Sequence, residues 1–214
     1  MSKSKSATLA KTTSSSRWLK RQHSDIYTRQ AKDEGYRSRA VYKLLEIQQK
    51  DRLLTPGMTI IDLGAAPGGW SQLAVEKVGK SGRVIALDIL PMDTIEGVHF
   101  LQGDFREETV LNQLLDCLEN KKVDLVISDM APNLSGMAVI DQPRAILLAE
   151  LALDLSTMVL KKDGNLLVKL FQGESFQAYW AMLKERFKSV SVRKPKASRS
   201  ESREVYLLAK GYTT

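Results

Sequence analysis

Residues 58–70, Met-Thr-Ile-Ile-Asp-Leu-Gly-Ala-Ala-Pro-Gly-Gly-Trp, constrain the fold of this chain more than any other stretch. Thr59, Ile60 and Ile61 form an apolar, β-prone run that ends at Asp62 and gives way to a glycine-rich turn. Trp70 to Val78 then reads as a helix. Strand, glycine loop and helix in this order open a nucleotide-binding α/β sheet. Such a loop needs glycine where the backbone turns with positive φ close to a ligand, and Gly64, Gly68 and Gly69 meet that need.

The spacing discriminates among cofactors. A dinucleotide fingerprint, G-x-G-x-x-G, requires glycine where Ala66 stands. A phosphate-cradling loop, G-x-x-x-x-G-K-[ST], fits Gly64, Gly69 and Ser71, but Trp70 replaces the lysine that would neutralise a triphosphate. What remains is a cofactor with a charged small-molecule end and no phosphate, such as S-adenosylmethionine. The competing reading is a tight strand-to-helix turn that holds nothing.

The net charge of +7 is unevenly placed. Residues 1–43 hold eleven Lys/Arg against three Asp/Glu, residues 44–187 hold fourteen against twenty, and residues 188–203 hold six against Glu201 alone. Two basic flanks on an acidic body point to a polyanionic partner, because a charge excess that serves only solubility needs no clustering. Solvated charge runs are the alternative. A single cysteine, Cys117, excludes an internal disulfide framework, and His23 and His99 are too few and too far apart to suggest a metal cluster. No metal is expected.

At 214 residues and 43% hydrophobic content, one domain with a substantial core is expected over 17–214. Residues 1–16, rich in Ser, Lys and Thr and free of acids, read as a flexible basic tail. A mitochondrial transit peptide competes with that reading on composition, whereas no run reaches membrane-spanning length. Two helices broken around Gly35 are expected between Asp25 and Lys50. Strands follow at Arg83–Asp88, Val98–Leu101, Val123–Ser128, Asn165–Phe171, Val190–Val192 and Glu204–Ala209. Helices are expected at Arg106–Glu119, at Asp141–Leu160, closed by Lys161, Lys162 and Gly164, and at Glu174–Phe187. Ligands of open parallel sheets bind beyond the strand carboxyl ends, so Gly64, Asp88, Asp104 and Asp129 share one rim. Asp88 is placed to accept from ribose hydroxyls, although an aspartate there can equally cap a helix. Lys169 stands inside the apolar run LLVKLF, where an unpaired ammonium is costly, which marks it as the foremost catalytic candidate.

The segment DLGAAPGGWSQ, with SRAVYKL before it and SDMAPN, LVKLF and SREVYLL after it, resembles the FtsJ/RrmJ family of ribose 2′-O-methyltransferases. The resemblance runs from about Ser15 to the C-terminus and is strongest to bacterial enzymes of ribosomal RNA. It implies a Rossmann-like class I fold: a seven-stranded, mostly parallel sheet with an antiparallel last strand and helices on both faces. By resemblance, Lys43, Asp129, Lys169 and Glu204 form a catalytic Lys-Asp-Lys-Glu tetrad. Gly64, Gly68, Gly69, Trp70, Asp88, Asp104 and Asp129 would hold S-adenosyl-L-methionine, which leaves as S-adenosyl-L-homocysteine. Asp104 would accept from the adenine amino group. Arg37, Arg39, Lys194, Lys196 and Arg199 are the residues expected to meet RNA.

The implied substrate is a uridine ribose in 23S ribosomal RNA of the large (50S) ribosomal subunit. The implied enzyme is a cytoplasmic monomer without membrane or metal. A 2′-O-methyltransferase of transfer RNA or a messenger cap is the alternative within the class. A non-catalytic, RNA-binding assembly factor is the alternative outside it. For catalysis Lys169 is expected to act as general base, its pKa lowered by partial burial and by the Lys43 ammonium, with Asp129 and Glu204 opposing that shift.

Overall fold

The computed structural model describes residues 26–133, 135–173, 175–199 and 202–214. The basic tail, and the Ser15–Leu19 start of the family resemblance, lie outside the described residues. Two helices, α1 (Ile26–Asp33) and α2 (Val41–Asp51), flank Gly35, whose φ is +76°. The α/β body follows as β1 (Thr59–Leu63), α3 (Gly69–Val78), β2 (Arg83–Asp88), β3 (Val98–Gln102), α4 (Glu108–Leu118) and β4 (Val123–Ser128). It continues with α5 (Ala138–Val159), β5 (Leu160–Phe171), α6 (Phe176–Arg186), β6 (Phe187–Arg193) and β7 (Glu204–Tyr212).

The seven strands form one sheet in the order β3-β2-β1-β4-β5-β7-β6. β1 to β5 pair in parallel, and β7 inserts antiparallel between β5 and β6. The strand order therefore reverses between β1 and β4, which opens a crevice at their carboxyl ends. β7 runs the other way, so its first residue, Glu204, lies opposite the last residue of β5, Phe171.

Side chains alternate across each strand, and two buried clusters divide accordingly. Ile60, Leu125, Ile127, Leu167, Tyr206 and Leu208 pack with Val41, Leu44 and Ile47 of α2 and Leu73 and Ala74 of α3. Ile61, Leu63, Val126, Leu166, Val168 and Leu207 face the opposite way, toward Val110, Leu114 and Leu118 of α4 and the buried side of α5 and α6. The spacing of four along α4 brings those three side chains to one face. Counting by two from Leu167 gives Lys169 and Phe171, and counting back from Leu208 gives Tyr206 and Glu204. All four accordingly belong to the face covered by α2.

β6 begins earlier than expected, at Phe187, and β7 runs on to Tyr212, but the larger difference from the sequence expectation is at the α5–β5 junction. The long helix starts earlier, at Ala138, and stops at Val159; Lys161, Lys162 and Gly164 belong to β5. Leu160 has extended backbone and pairs with Val123, after which the register jumps to Leu125↔Asn165 across a bulge. Leu160 satisfies the apolar pattern of both helix and strand, so periodicity alone misses the change.

Candidate active site

At the crevice, a cleft of about 370 Å³ is lined by Gly64, Asp88, Asp104, Asp129 and apolar residues including Leu87, Phe105 and Met130. Gly64 has φ +72°, and a Cβ there would come within 2.6 Å of Met130 Cγ, so the β1 loop and the β4 loop touch only because this residue is glycine. Gly68 and Gly69 serve packing within the protein: a Cβ on Gly68 would lie 2.6 Å from Ile95 Cδ1, and one on Gly69 2.5 Å from Ser38 Oγ. The Trp70 side chain lies in the core, its indole N–H donating to Ala40 O at 2.8 Å and its ring 5.6 Å from that of Tyr206. Any contact from Trp70 to a ligand is left to its backbone amide, in the first turn of α3, where N–H groups have no partner within the helix.

Asp88 accepts the Ala66 amide at 2.8 Å on Oδ2 and the Leu90 amide at 2.8 Å on Oδ1. It thus ties the glycine loop to the end of β2 while lining the cleft. Asp104 is held by the guanidinium of Arg106, which lines the same cleft, and this ion pair pulls the carboxyl below the usual aspartate range. A ligand amino group bound by Asp104 must share it with Arg106. Beneath the loop, Asp62 is fully buried and accepts from Ser71 Oγ at 2.6 Å. Burial, aided by Asp129 and Asp88, pushes its carboxyl up to about 7.

The four tetrad residues, drawn from α2, the end of β4, β5 and the start of β7, meet at the rim of the sheet. Lys43 Nζ lies 2.8 Å from Glu204 Oε1 and 2.9 Å from Oε2. Lys169 Nζ is 3.2 Å from Asp129 Oδ1 and 3.4 Å from Glu204 Oε2. Burial drives the Lys169 ammonium to lose its proton, but Asp129 and Glu204 more than compensate and hold it above the ordinary lysine range. This corrects the expected lowering: with two carboxylates this near, the opposing effect wins. Glu204 is the counterpart, since burial raises its carboxyl but Lys169 and Lys43 pull it down to about 2.

Two further residues complete the network. Tyr206, fully buried, donates its hydroxyl to Asp129 Oδ1 at 2.6 Å and lies 3.3 Å from Glu204 Oε1. Ser198 donates to Glu204 Oε1 at 2.8 Å. Neither stood out in the sequence, because Tyr206 in EVYLLA reads as an ordinary core aromatic and Ser198 as one loop serine among several. The signal available for Tyr206 was its alternation with Glu204.

The family model for FtsJ-like methyltransferases matches residues 36–212. The chain is a member of that family. Curated relatives named ribosomal RNA large subunit methyltransferase E include one from Alkalilimnicola ehrlichii, 60% identical over 92% of this chain and 95% of its own length. Another, from Cellvibrio japonicus, is 56% identical over 95% and 97%. A solved Plasmodium falciparum structure, described as a ribosomal RNA methyltransferase, superposes with a TM-score of 0.74 at 32% identity, covering 83% of this chain and 98% of its own. A Clostridium thermocellum structure at 18% identity and a TM-score of 0.52, covering 78% and 97%, shares the fold.

On the α2 side of the tetrad of this FtsJ-like methyltransferase lies a second cavity, of about 420 Å³. Arg39, Lys43, Ala131, Lys169, Phe171, Arg199 and Glu204 line it, and Ala131 also lines the first cleft. Arg39 and Arg199 are near enough that the second guanidinium adds to burial in lowering the pKa of the first. The basic loop between β6 and β7 is fastened to α2: Glu46 accepts the amides of Lys196 and Ala197, and Arg39 donates to Ala197 O at 2.5 Å. Besides Arg39, two more residues of the sequence's RNA-facing set donate to backbone carbonyls. Arg37 donates to the carbonyls of Pro67, Asp93 and Thr94, bracing the cleft rim. Lys194 donates to Ser202 O at 2.6 Å and to Glu204 O. Lys196 and Arg199 are exposed.

No group of His, Cys, Asp and Glu among the described residues could hold a metal ion, and no helix among them is long and apolar enough to cross a membrane.

Proposed function

We propose that this protein transfers a methyl group from S-adenosyl-L-methionine to the 2′-oxygen of a uridine ribose in 23S ribosomal RNA of the large ribosomal subunit. The observation that carries the reading is the adjacency of two cavities, one acidic and one basic, with Asp129 lining the first and ion-paired to Lys169 of the second. The donor set fits the cofactor. Asp88, Asp104 and Asp129 suit a cationic ligand with ribose and amino donors, and the single cation in that lining, Arg106, is already neutralised. The names of the relatives favour ribosomal RNA over transfer RNA or a messenger cap. Bound in the acidic cleft, the cofactor would supply a methyl group on a sulfonium.

The protein's own contribution is alignment and proton control. Arg39 and Arg199 receive the phosphates flanking the target nucleotide, and the exposed Lys196 extends that contact. Asp129 and Glu204 fix the Lys169 ammonium in position, while Lys43 and Ser198 fix Glu204. To serve as general base, Lys169 must first release its own proton to solvent. Asp129 lines the acidic cleft, so a cationic cofactor held there would offset its carboxylate and favour that release. Lys169 then accepts the 2′-hydroxyl proton and returns to the ammonium, while the methyl–sulfur bond would break as the oxygen–carbon bond forms, with S-adenosyl-L-homocysteine leaving. In this reading the enzyme is a cytoplasmic monomer.

The test is transfer of labelled methyl groups to isolated large subunits and to deproteinised RNA, with the modified nucleotide mapped. Transfer to one uridine ribose, lost in Lys169→Ala while cofactor affinity persists, is the expected result. Methylation at a base, or turnover undiminished in Lys169→Ala, would overturn the assignment. Cofactor binding without any transfer would favour the assembly-factor alternative.

A further inference from the structure

Phe171 has no part in the proton chemistry, yet it borders the cavity in which that chemistry takes place. It is the one aromatic side chain among the described residues lining it, set among Arg39, Lys43, Lys169, Arg199 and Glu204. The pairing of β5 with β7 explains its position: Lys169 lies opposite Tyr206 and Phe171 opposite Glu204, so two successive cross-strand pairs share one face. Tyr206 is wholly buried beneath the tetrad, whereas Phe171, one pair nearer the rim, is half-buried. Phe171, at the end of β5, also borders a small gap beside Gln142, Ala145 and Ile146 of α5 and Phe176 of α6. The result is a half-buried aromatic residue at the edge of a cavity lined by cationic groups.

We infer that Phe171 is the stacking platform for the base of the target nucleotide. Phe171 stands two residue steps along β5 from Lys169, a rise of about 7 Å, which one nucleotide can bridge with its base on the ring and its 2′-hydroxyl at the ammonium. An aromatic face beside paired guanidiniums is the combination that holds a single-stranded, splayed nucleotide. Stacking accepts any base, so Phe171 sets the orientation of the sugar and leaves base identity to other contacts. The inference rests on the proposed ribose methylation for its reaction, but not for its binding readout.

The experiment compares Phe171→Leu with Phe171→Tyr. Leucine keeps apolar bulk at the sheet end and removes the π-face. The stacking role predicts a KM for RNA raised roughly tenfold or more in Phe171→Leu, with cofactor affinity and melting temperature unchanged, and recovery in Phe171→Tyr. Equal KM in wild type and Phe171→Leu would overturn it, as would equal losses in both variants accompanied by lower melting temperatures. Phe171→Trp gives a second readout: its added fluorescence should be quenched by a uridine oligonucleotide, and absence of quenching overturns the proposal. A wild-type protein that methylates no ribose would sink the functional reading, while the quenching result still decides the platform.

Discussion

Replacing Glu204 by Gln removes one charge from the tetrad and keeps its shape, including the hydrogen bond from Ser198. Glu204 is 9% exposed in its side chain, and its carboxyl stands at about 2 against an ordinary 4.5. That difference corresponds to about 3 kcal/mol of folding stability near neutral pH. The folded value is depressed, so the contribution is complete above pH 4.5 and fades as pH falls toward 2; at pH 3 less than half of it remains. The assay is urea unfolding of wild type and Glu204→Gln at pH 7 and again between pH 3 and 4. The variant should lose about 3 kcal/mol at pH 7, in line with the usual cost of breaking a buried ion pair, and the gap should narrow in acid. Equal midpoints at pH 7, or a gap that widens in acid, would refute the electrostatic account of this site. Methyl transfer should fall as well, because Lys43 and Lys169 would then face each other with only Asp129 between the network and excess positive charge.

Tyr206→Phe should reduce turnover roughly tenfold to a hundredfold by freeing Asp129, with little change in RNA binding; steady-state kinetics would separate these effects. Gly64→Ala should weaken cofactor binding measured by calorimetry, since its Cβ meets Met130 and the backbone needs positive φ. Combined Lys196→Glu and Arg199→Glu should weaken RNA binding and flatten its salt dependence by roughly 0.7 per lost phosphate contact. An unchanged slope in filter binding would mean that this loop does not face RNA.

Much of the sheet is legible in the sequence because its central strands are continuous apolar runs ending in acids. Ile85-Ala86-Leu87-Asp88 and Val126-Ile127-Ser128-Asp129 announce both the strand and its cleft-lining end, whereas Asp62 after Ile60-Ile61 lies inside β1 and is fully buried. The tetrad is legible through family motifs, and Lys169 also through the cost of its burial. What the residues alone do not convey is distance. Whether Lys169 loses or keeps its proton depends on two carboxylates approaching to 3.2 and 3.4 Å, one of them from a strand 35 positions later. Arg37 and Lys194 look like free charges in a string of letters, but folded they are spent on carbonyl oxygens. The β5 boundary fails for a related reason, as a bulge has no compositional mark.

The reversed strand β7 also fixes when activity can appear during folding. The Lys43–Glu204 contact spans 161 positions, and Glu204 lies on β7, the last of the described strands in chain order. The cleft lined by Gly64, Asp88, Asp104 and Asp129 draws on the ends of β1 to β4 and on α5, all of which precede Glu204, whereas the tetrad must wait for a long-range closure of large entropic cost. On the proposed mechanism, a chain truncated before residue 204 would keep the lining of the acidic cleft yet lack Glu204 and Tyr206, and should not methylate RNA. In that mechanism catalytic competence reports that the whole described domain has closed.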